Sequence, residues 1–522
     1  MNHNHMKTKL FWKIIPLALV TLLWIGCKNN SEEKDPTNTS TLGDDENDFV
    51  ENQTWNETIN IVWDGTNVSV TGNADGVTVT TKNGYATINS KSKHIEYAVS
   101  GNGTGQLNIY SDYKFKLSLN GLTLSCSDGP AINNQCKKTC YAVLGSNNIL
   151  SDGSTYATST EDRKAAFFSE GQVCISGSGS LNITGNYKHA LASDDYIRIC
   201  EGTGDITLTA KVSDGLHSND GIIINDGTLT IQAVEEGIQC DTSAILISGG
   251  EINVTSTTDK GILAYGDIEV KGGNIHITSK AKCIKSKSNL IVSDGVVVAI
   301  CTGEATNSGG PGGGGPGGGH GGSSTSTGTT PEAIEAKGTI SISGGQVYAQ
   351  SADDAINSGS TMTISGGYVC AYSTSNDGID ANSDLTISGG VVYAIGAGGA
   401  EKSVDAMERC TLTISGGTLV CIGDLENGAV LKQDCYSASS WSKNTWYALT
   451  VDEKTFAFKT PASGGTKLVV SGASKPSLKS GVTPSGTMIF NGMAYYPATA
   501  SGGTNINLSS YSANSGWGGG GW

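Results

Sequence analysis

The sequence is poor in positive charge. Of its 522 residues, 33 are lysine or arginine and 49 are aspartate or glutamate, which gives a formal net charge of −16 at pH 7. Proteins that bind nucleic-acid phosphates need clustered lysine and arginine, so this balance argues against a nucleic-acid partner. It is compatible with a protein that binds cations or a neutral glycan.

The sequence also lacks the cysteine spacing of a metal site and, over residues 58–124, the apolar spacing of a helix. Twelve cysteines follow Cys27, and no C-x-x-C pair occurs among them. We interpret most of these cysteines as buried single thiols. Cys136 and Cys140 are the best candidates for a disulfide, because a bond between them would close a loop.

Long apolar runs are missing as well. The run of residues 14–25 is too short to span a membrane, and it follows three lysines and precedes Gly26-Cys27, which resembles a bacterial lipobox. We predict that residues 1–26 are a lipoprotein signal peptide and that Cys27 is lipidated; a plain cleaved secretory signal is the alternative.

An acidic and polar linker of residues 27–55 follows the signal peptide. Its Ser-Glu-Glu-Lys-Asp stretch resembles the surface-export signal of Bacteroidetes lipoproteins. We therefore expect an outer-membrane lipoprotein at the cell surface, with outer-membrane lipid as a partner through Cys27.

A short pattern repeats between residues 186 and 263. An aliphatic residue beside a small residue and a carboxylate recurs about every two dozen residues, at Leu191, Leu216, Ile238 and Ile262, and such a period is typical of a solenoid. Alternating apolar runs between these points predict short strands, and glycine doublets mark the places where the chain turns or coils approach closely. Each repeat of a solenoid contacts only its neighbours, so a long chain needs no single large core.

We predict an all-β fold, a right-handed parallel β-helix (solenoid) of roughly fifteen coils over residues 56–440. Irregular N-terminal coils are expected at one end, and a small C-terminal β cap of residues 441–522 at the other. The Gly-rich residues 303–331 cannot bury apolar surface, yet the repeat resumes in phase at Ile334. They are therefore expected to form an inserted loop.

Several segments resemble those of a known family, the bacterial carbohydrate-binding-domain lipoproteins with a pectate-lyase-like right-handed parallel β-helix. The resemblance covers roughly residues 59–424, and its most specific motifs are Asn-Tyr-Lys-His-Ala and Ser-Asp-Asp. It implies calcium held between coils and affinity for plant cell-wall polysaccharide, including acidic sugars. The matching segments are residues 119–124, 161–171, 185–190, 193–197 and 214–220.

The carboxylates of the repeat give the calcium expectation a physical basis. Equivalent positions of stacked coils lie about 4.8 Å apart, so carboxylates there would repel each other unless a hard cation with oxygen ligands neutralised them. Solvated turn carboxylates are the alternative. The candidate calcium ligands are Asp194, Asp195, Asp214, Asn219, Asp220, Glu235, Glu236 and Asp241. A second candidate site contains Asp353, Asp354, Asn376, Asp377 and Asp380.

Other residues are candidates for contact with a ligand. His189 and His217 occupy equivalent positions on neighbouring coils, where they either orient the carboxylates or fill a turn; with Lys188 they form the candidate ligand-binding set. Four tyrosines recur at or beside equivalent strand positions and either form an aromatic ladder for sugar or fill a sheet face. They are Tyr348, Tyr368, Tyr372 and Tyr393.

Three functions fit these features. The first is a calcium-stabilised cell-surface protein that binds plant-type or acidic polysaccharide, which is our prediction, with no catalytic residue assigned. The second is a calcium-dependent polysaccharide lyase, which needs a basic residue to remove a proton beside a uronate carboxylate. The third is a structural rod or adhesin. The candidate bases for a lyase are the only three arginines, Arg163, Arg198 and Arg409, or Lys188, Lys211 and Lys260.

Overall fold

The structure is a computed structural model that describes residues 45–305 and 330–513. Cys27, the predicted signal peptide and most of the Gly-rich loop lie outside the described residues. Within the described ranges, no helix is long and apolar enough to cross a membrane. The helical elements described are three single 3-10 turns, Glu46–Asp48, Val50–Asn52 and Phe490–Gly492.

The described chain winds into a parallel β-solenoid whose turns contain up to three short strands. In one turn the first, second and third strands are His189–Ser193, Tyr196–Ile199 and Asp205–Ala210, and each pairs in parallel with its equivalent in the next turn. The solenoid has about 13 turns. The predicted all-β parallel β-helix is therefore confirmed, with slightly fewer turns than the roughly fifteen expected.

The first strands build a 14-stranded sheet that begins with an antiparallel hairpin and continues as a parallel ladder. Its strands are Val77–Lys82, Tyr85–Ser90, Leu107–Ser111, Ile132–Asn134, Ala165–Ser169, His189–Ser193, Leu216–Ser218, Ile238–Cys240, Ile262–Ala264, Ile284–Ser286, Ile334–Ala336, Ile356–Ser358, Ile379–Ala381 and Val404–Ala406.

The second and third strands belong to a 28-stranded sheet, together with strands at both ends of the solenoid. In some turns the second and third strands run together as one long strand. The strands are Glu57–Gly65, Asn67–Thr71, Ile95–Thr104, Phe115–Ser125, Cys140–Leu144, Asn147–Ser151, Val173–Ser176, Ser180–Gly185, Tyr196–Ile199, Asp205–Ala210, Gly221–Ile224, Thr228–Ala233, Ile245–Ile247, Glu251–Ser256, Ile268–Ser279, Leu290–Cys301, Ile340–Ile342, Gln346–Ser351, Met362–Ile364, Tyr368–Ser373, Leu385–Ile387, Val391–Ile395, Leu412–Ile414, Thr418–Ile422, Val430–Leu431, Cys435–Ala438, Leu468–Ser471 and Ser509–Ser510.

Columns of aliphatic side chains fill the interior of the solenoid. Leu191 pairs with Leu216, Leu216 with Ile238 and Ile238 with Ile262, and all four side chains are fully buried. Burying one such side chain contributes about 1.5 to 3 kcal/mol. The aliphatic period read from the sequence is thus the stacking period of the core.

The phase of the repeat survives the Gly-rich insertion. Ile284–Ser286, which precedes the insertion, pairs in register with Ile334–Ala336, which follows it. The turns on either side of the insertion therefore stack directly on each other.

The glycine doublets lie at the turns between second and third strands and have two different roles. A Cβ on Gly249 would lie 2.2 Å from the carbonyl oxygen of Asn225 in the previous turn, so only glycine fits there. Gly250 has φ +89°, a conformation that favours glycine.

The two ends of the solenoid are irregular, as predicted. At the N-terminal end, Glu57–Gly65 pairs in parallel with the following strand and antiparallel with Asn67–Thr71. At the C-terminal end, Leu468–Ser471 pairs antiparallel with Thr418–Ile422, which interrupts the parallel ladder. Such pairing protects a sheet edge from other chains.

A small closed barrel completes the C-terminal cap. Its Phe456 and Phe458 pack against Tyr393, which belongs to a third strand of the solenoid. The barrel therefore covers part of the third-strand face. Its strands are Trp446–Val451, Lys454–Lys459, Ser477–Ile489 and Ala494–Ile506.

The described cysteines are single thiols. All twelve are free, and eleven are buried, which confirms the main interpretation of the sequence. The disulfide between Cys136 and Cys140 is wrong: both thiols are buried in the core and unbonded. Cys140 begins a second strand that stacks on its neighbours, so its side chain serves packing.

Candidate functional site

Two columns of polar residues follow the first strands along the solenoid. One column lies one residue after each buried aliphatic, where the register pairs His217 with Gln239, Lys285 with Glu335 and Asp380 with Asp405. Because paired positions of neighbouring strands lie about 4.8 Å apart, charges in a column act on each other directly. The other column, two residues before the aliphatic, contains His189, Asp214, Glu236, Lys260, Lys282, Glu332, Asp354, Asp377 and Lys402.

In the N-terminal part of these columns, the buried Asp214 contacts two histidines. Asp214 Oδ2 lies 2.8 Å from His217 Nδ1 and 3.1 Å from His189 Nδ1, and the imidazoles stack with centroids 4.2 Å apart. Burial lowers the pKa of His189 to about 4, so this ring is neutral at pH 7. Although burial alone would raise the pKa of Asp214, hydrogen bonds from both histidines hold it below its ordinary value.

Lysines neutralise the next carboxylates along the columns. Lys260 Nζ lies 2.9 Å from Glu236 Oε1 and 2.6 Å from Asp259 Oδ1. Burial alone would lower the pKa of Lys260, but hydrogen bonds with these two carboxylates raise it. One turn further on, Lys282 and Lys285 pair with the buried Glu335. The carboxylates in this middle part therefore carry their own counter-charges.

The C-terminal part of the columns is different, because its carboxylates have no such partners. In the described chain, no lysine, arginine or histidine side chain forms an ion pair with Asp354, Asp377, Asp380 or Asp405. Burial, reinforced by the charge of Asp380, raises the pKa of Asp354 to about 8. Burial also raises the pKa of Asp377 to about 7, and that of Asp405 to about 9.

Three groups of side chains bring possible metal-ligand atoms within 4.8 Å of one another in the described ranges. Two share Asp214: one contains His189, Asp214 and His217, and the other contains Asp214, Glu235 and Glu236. The third contains Asp377, Asp380 and Asp405. The first set offers imidazole nitrogens, whereas the other two offer only carboxylate oxygens, the ligands that calcium prefers.

The structure divides the eight candidate calcium ligands between the two ends of the first strands. Three of them precede their strands and five follow theirs; the first are Asp214, Glu235 and Glu236, and the second are Asp194, Asp195, Asn219, Asp220 and Asp241. Asp194 pairs with Lys164 Nζ at 2.5 Å and accepts from Asn219 Nδ2 at 3.2 Å. Asp220 accepts from Thr242 Oγ1 at 3.1 Å. Asp195 accepts from the backbone N–H of Tyr196 at 2.9 Å and lines a different groove, described below.

The predicted ligand-binding residues do share one groove. A groove of about 460 Å³ lies over the Asp214 group, and its lining includes the exposed Lys188 together with His189 and His217. Asp241 also lines it, with Oδ2 3.4 Å from His217 Nε2. The buried Nε2 of His189 has no hydrogen-bond partner among the described residues.

For two of the four tyrosines, the structure supports the alternative in which they fill a sheet face. Tyr348 is 2% exposed and Tyr393 is 0% exposed. Tyr348 OH donates to Gln350 Oε1, and Tyr393 OH donates to the carbonyl of Lys459 in the barrel at 2.9 Å. The barrel covers this face, so these rings serve packing.

Two of the three candidate arginines contact residues outside the acidic groups. Arg198 is buried and pairs with Asp48 at 2.7 Å, and Arg163 lies against Tyr156. Lys260 is held by two carboxylates, as described above, while Lys188 and Lys211 are exposed.

The sequence analysis missed Asp405 as a member of the C-terminal acidic group. The sequence pattern does indicate this residue, because Asp405 follows Val404 as Asp380 follows Ile379. Both aliphatic residues belong to the buried column.

Comparison with known proteins gives one family match. A model of the family described as carbohydrate-binding domain-containing protein matches residues 75–375, more than half of the chain. No curated protein matches the chain. Among solved structures, a polysaccharide lyase-like protein from C. thermocellum, a gadolinium derivative, is 22% identical and is covered over 92% of its length against 47% of this chain, with a TM-score of 0.36.

Proposed function

Because the chain belongs to the family of carbohydrate-binding domain-containing proteins, we propose that it binds plant-type or acidic polysaccharide at the cell surface and that calcium stabilises its solenoid. The family match carries the carbohydrate. The outer-membrane location rests on the sequence around Cys27, through which lipid would anchor the chain.

Calcium is proposed at the two groups that offer only carboxylates. The C-terminal group contains the buried Asp354 and Asp377 and the half-buried Asp380 and Asp405, none of which forms an ion pair with a basic side chain among the described residues. These carboxyls would repel one another once ionised, and a divalent cation with oxygen ligands removes that repulsion. Asp377, Asp380 and Asp405 would hold it. At Asp214, Glu235 and Glu236, the histidines already contact Asp214 and Lys260 supplies counter-charge to Glu236, so weaker binding is expected there.

Affinity electrophoresis tests the proposed function. The mature protein is run through gels that contain polygalacturonate or a neutral plant polysaccharide, with calcium or with chelator, and the polymer is examined for cleavage. Retardation without cleavage supports a binding protein, and unsaturated cleavage products would identify a lyase instead. Free migration through every polymer would contradict carbohydrate binding and favour a structural rod.

A further inference from the structure

A groove of about 510 Å³ lies on the side of the solenoid where first strands turn into second strands. Most of its lining residues come from these turns in five successive coils, between the strands Tyr85–Ser90 and Tyr196–Ile199, and the others, residues 53–55, precede the strand Glu57–Gly65. The groove shares no lining residue with the one over Asp214, which extends along the first strands of later turns.

Lysines recur along this groove with the period of the coils. Lys93 lies in the first of these turns, Lys114 in the second, and Lys137 and Lys138 in the third. Neighbouring turns are about 4.8 Å apart, a step comparable to that between successive sugar rings of an extended polysaccharide. The first three of the five turns therefore each offer one or two ammonium groups.

These ammonium groups have no carboxylate partner. In the part of the chain that the structure describes, none of the four lysines forms an ion pair, and two carboxylates, Asp112 and Asp195, line the groove with them. This local positive charge stands out in a chain of net charge −16. A polyanion is repelled by most of the surface and attracted to this groove.

Aromatic rings lie beside the lysines. Lys93 Nζ is 4.9 Å from the centre of the Tyr113 ring, and Tyr113 is 38% exposed. Trp55 lines the opposite wall, packed edge-on against Tyr141 at 5.5 Å. The buried Nε1 of Trp55 has no hydrogen-bond partner among the described residues, although buried donors are normally satisfied.

The wall that carries Trp55 is fixed to the solenoid by contacts that are distant in sequence. Asp48 accepts a hydrogen bond from Arg198 Nε at 2.7 Å, and the carbonyl of Thr54 lies 2.8 Å from His94 Nδ1. The groove is therefore built before any ligand binds, which lowers the entropic cost of binding.

We propose that this groove binds an anionic polysaccharide, with the lysines contacting its sulfate or carboxylate groups and Trp55 and Tyr113 contacting its sugar rings. The inference rests on the proposed function, because it locates the glycan and names its charge. Since ammonium–anion contacts at exposed sites are screened by ions, binding here weakens as salt concentration rises.

A fourfold substitution with a matched control tests the groove. The groove variant replaces all four lysines by glutamine, as K93Q, K114Q, K137Q and K138Q. The control variant makes the same change in charge at exposed lysines elsewhere, as K82Q, K280Q, K432Q and K443Q. Equal melting temperatures of both variants and the wild type verify that folding is retained.

Affinity electrophoresis then compares the three proteins in gels with polygalacturonate, heparin or hydroxyethyl cellulose, and in polymer-free gels to correct for charge. We expect the wild type and control to be retarded by polygalacturonate or heparin, and the groove variant to lose roughly tenfold or more in affinity. Retardation by polygalacturonate indicates recognition of carboxylates, and retardation by heparin indicates recognition of sulfates.

The remaining outcomes separate the two proposals. Equal retardation of groove variant and wild type would overturn the groove as the glycan site and leave the proposed function intact. Retardation by the neutral polymer alone would overturn recognition of an anion and also leave carbohydrate binding intact. An equal loss of affinity in the groove and control variants would show that only net charge matters and would overturn the groove as the glycan site. Free migration of the wild type through every polymer would overturn both proposals.

Discussion

At the scale of single residues, Glu335 shows how a buried charge is tolerated between coils. Its side chain is buried, Lys282 Nζ lies 2.9 Å away, and Lys285 and Lys337 also pair with it. Burial alone would raise the pKa of Glu335, but the charge of Lys282 and the hydrogen bonds from Lys285 and Lys337 lower it to about 2. The carboxylate is thus stabilised by two lysines of the previous turn and by one lysine of its own turn.

This arrangement predicts a pH-dependent effect of E335Q. A carboxyl whose pKa is lower in the folded state contributes stability above its unfolded pKa, and that contribution is lost as the pH falls towards the folded value. We expect E335Q to lower the free energy of unfolding by about 3 kcal/mol at neutral pH, and the difference from wild type to shrink below about pH 4.5. Urea unfolding at several pH values measures it.

E269Q is the control for this experiment. Glu269 Oε2 lies 2.7 Å from Lys271 Nζ, but both side chains are substantially exposed. Exposed pairs contribute about 0 to 1 kcal/mol, so E269Q is expected to have little effect. Equal losses in E335Q and E269Q, or a loss in E335Q that persists at low pH, would contradict the assignment.

At the scale of elements, the first strands arrange their charged columns in three different ways. Towards the N-terminal end, imidazoles contact Asp214; in the middle, lysines pair with Glu236 and Glu335; and towards the C-terminal end, carboxylates stand without basic partners. The same strand geometry therefore supports neutral contacts, ion pairs and a candidate cation site, according to the residue at each step.

The C-terminal acidic group of Asp377, Asp380 and Asp405 predicts that the melting temperature depends on calcium. Calcium at about 100 times its dissociation constant would add about 2.7 kcal/mol to the free energy of unfolding. We expect D380N combined with D405N to remove most of this gain. Differential scanning calorimetry in calcium and in chelator measures the change.

The matched variant at the N-terminal group is E235Q with E236Q. Because Lys260 and the histidines already supply positive or neutral partners there, this variant is expected to keep most of the calcium effect. Identical melting curves of the wild type in calcium and chelator would contradict a bound cation, and a larger loss in the glutamine variant would place the stronger site at Asp214.

At the scale of the whole molecule, the solenoid depends on its ends. Hairpins cover the first parallel edge, and Leu468–Ser471 covers the last with antiparallel pairing. The barrel next to this strand has its own aromatic interior, in which Phe458 lies 5.6 Å from Tyr447 and 5.3 Å from Tyr393 of the solenoid. The cap thus joins the barrel to the last turns.

Opening the barrel is therefore predicted to cause self-association. F458D places a charge in this interior, which costs several kcal/mol, and would expose Tyr393 and the other aromatic rings that the barrel covers. Size-exclusion chromatography with light scattering is expected to show oligomers, while circular dichroism retains most of the β signal. M488D, at a residue that is 57% exposed, is expected to remain monomeric, and a monomeric F458D would disprove the protective role.

The sequence by itself determined the repeat, the strands and the aliphatic core. The spacing of Leu191, Leu216 and Ile238 predicts the stacking period. The repeat resumes in the same phase at Ile334, after the Gly-rich insertion. This was possible because each coil contacts only its neighbours, so a local pattern repeated along the chain specifies the stack.

The tertiary structure decided which polar residues meet. A first strand of three residues is about 10 Å long, which separates Asp214 from Asp220 although both belong to one turn of the sequence repeat. The barrel covers Tyr348 and Tyr393, and Asp48 reaches Arg198 across 150 residues of chain to build one wall of the lysine groove. Contacts of this kind join the solenoid to segments that do not share its repeat. The folded chain therefore decides which charges are neutralised, which side chains are covered and where grooves form.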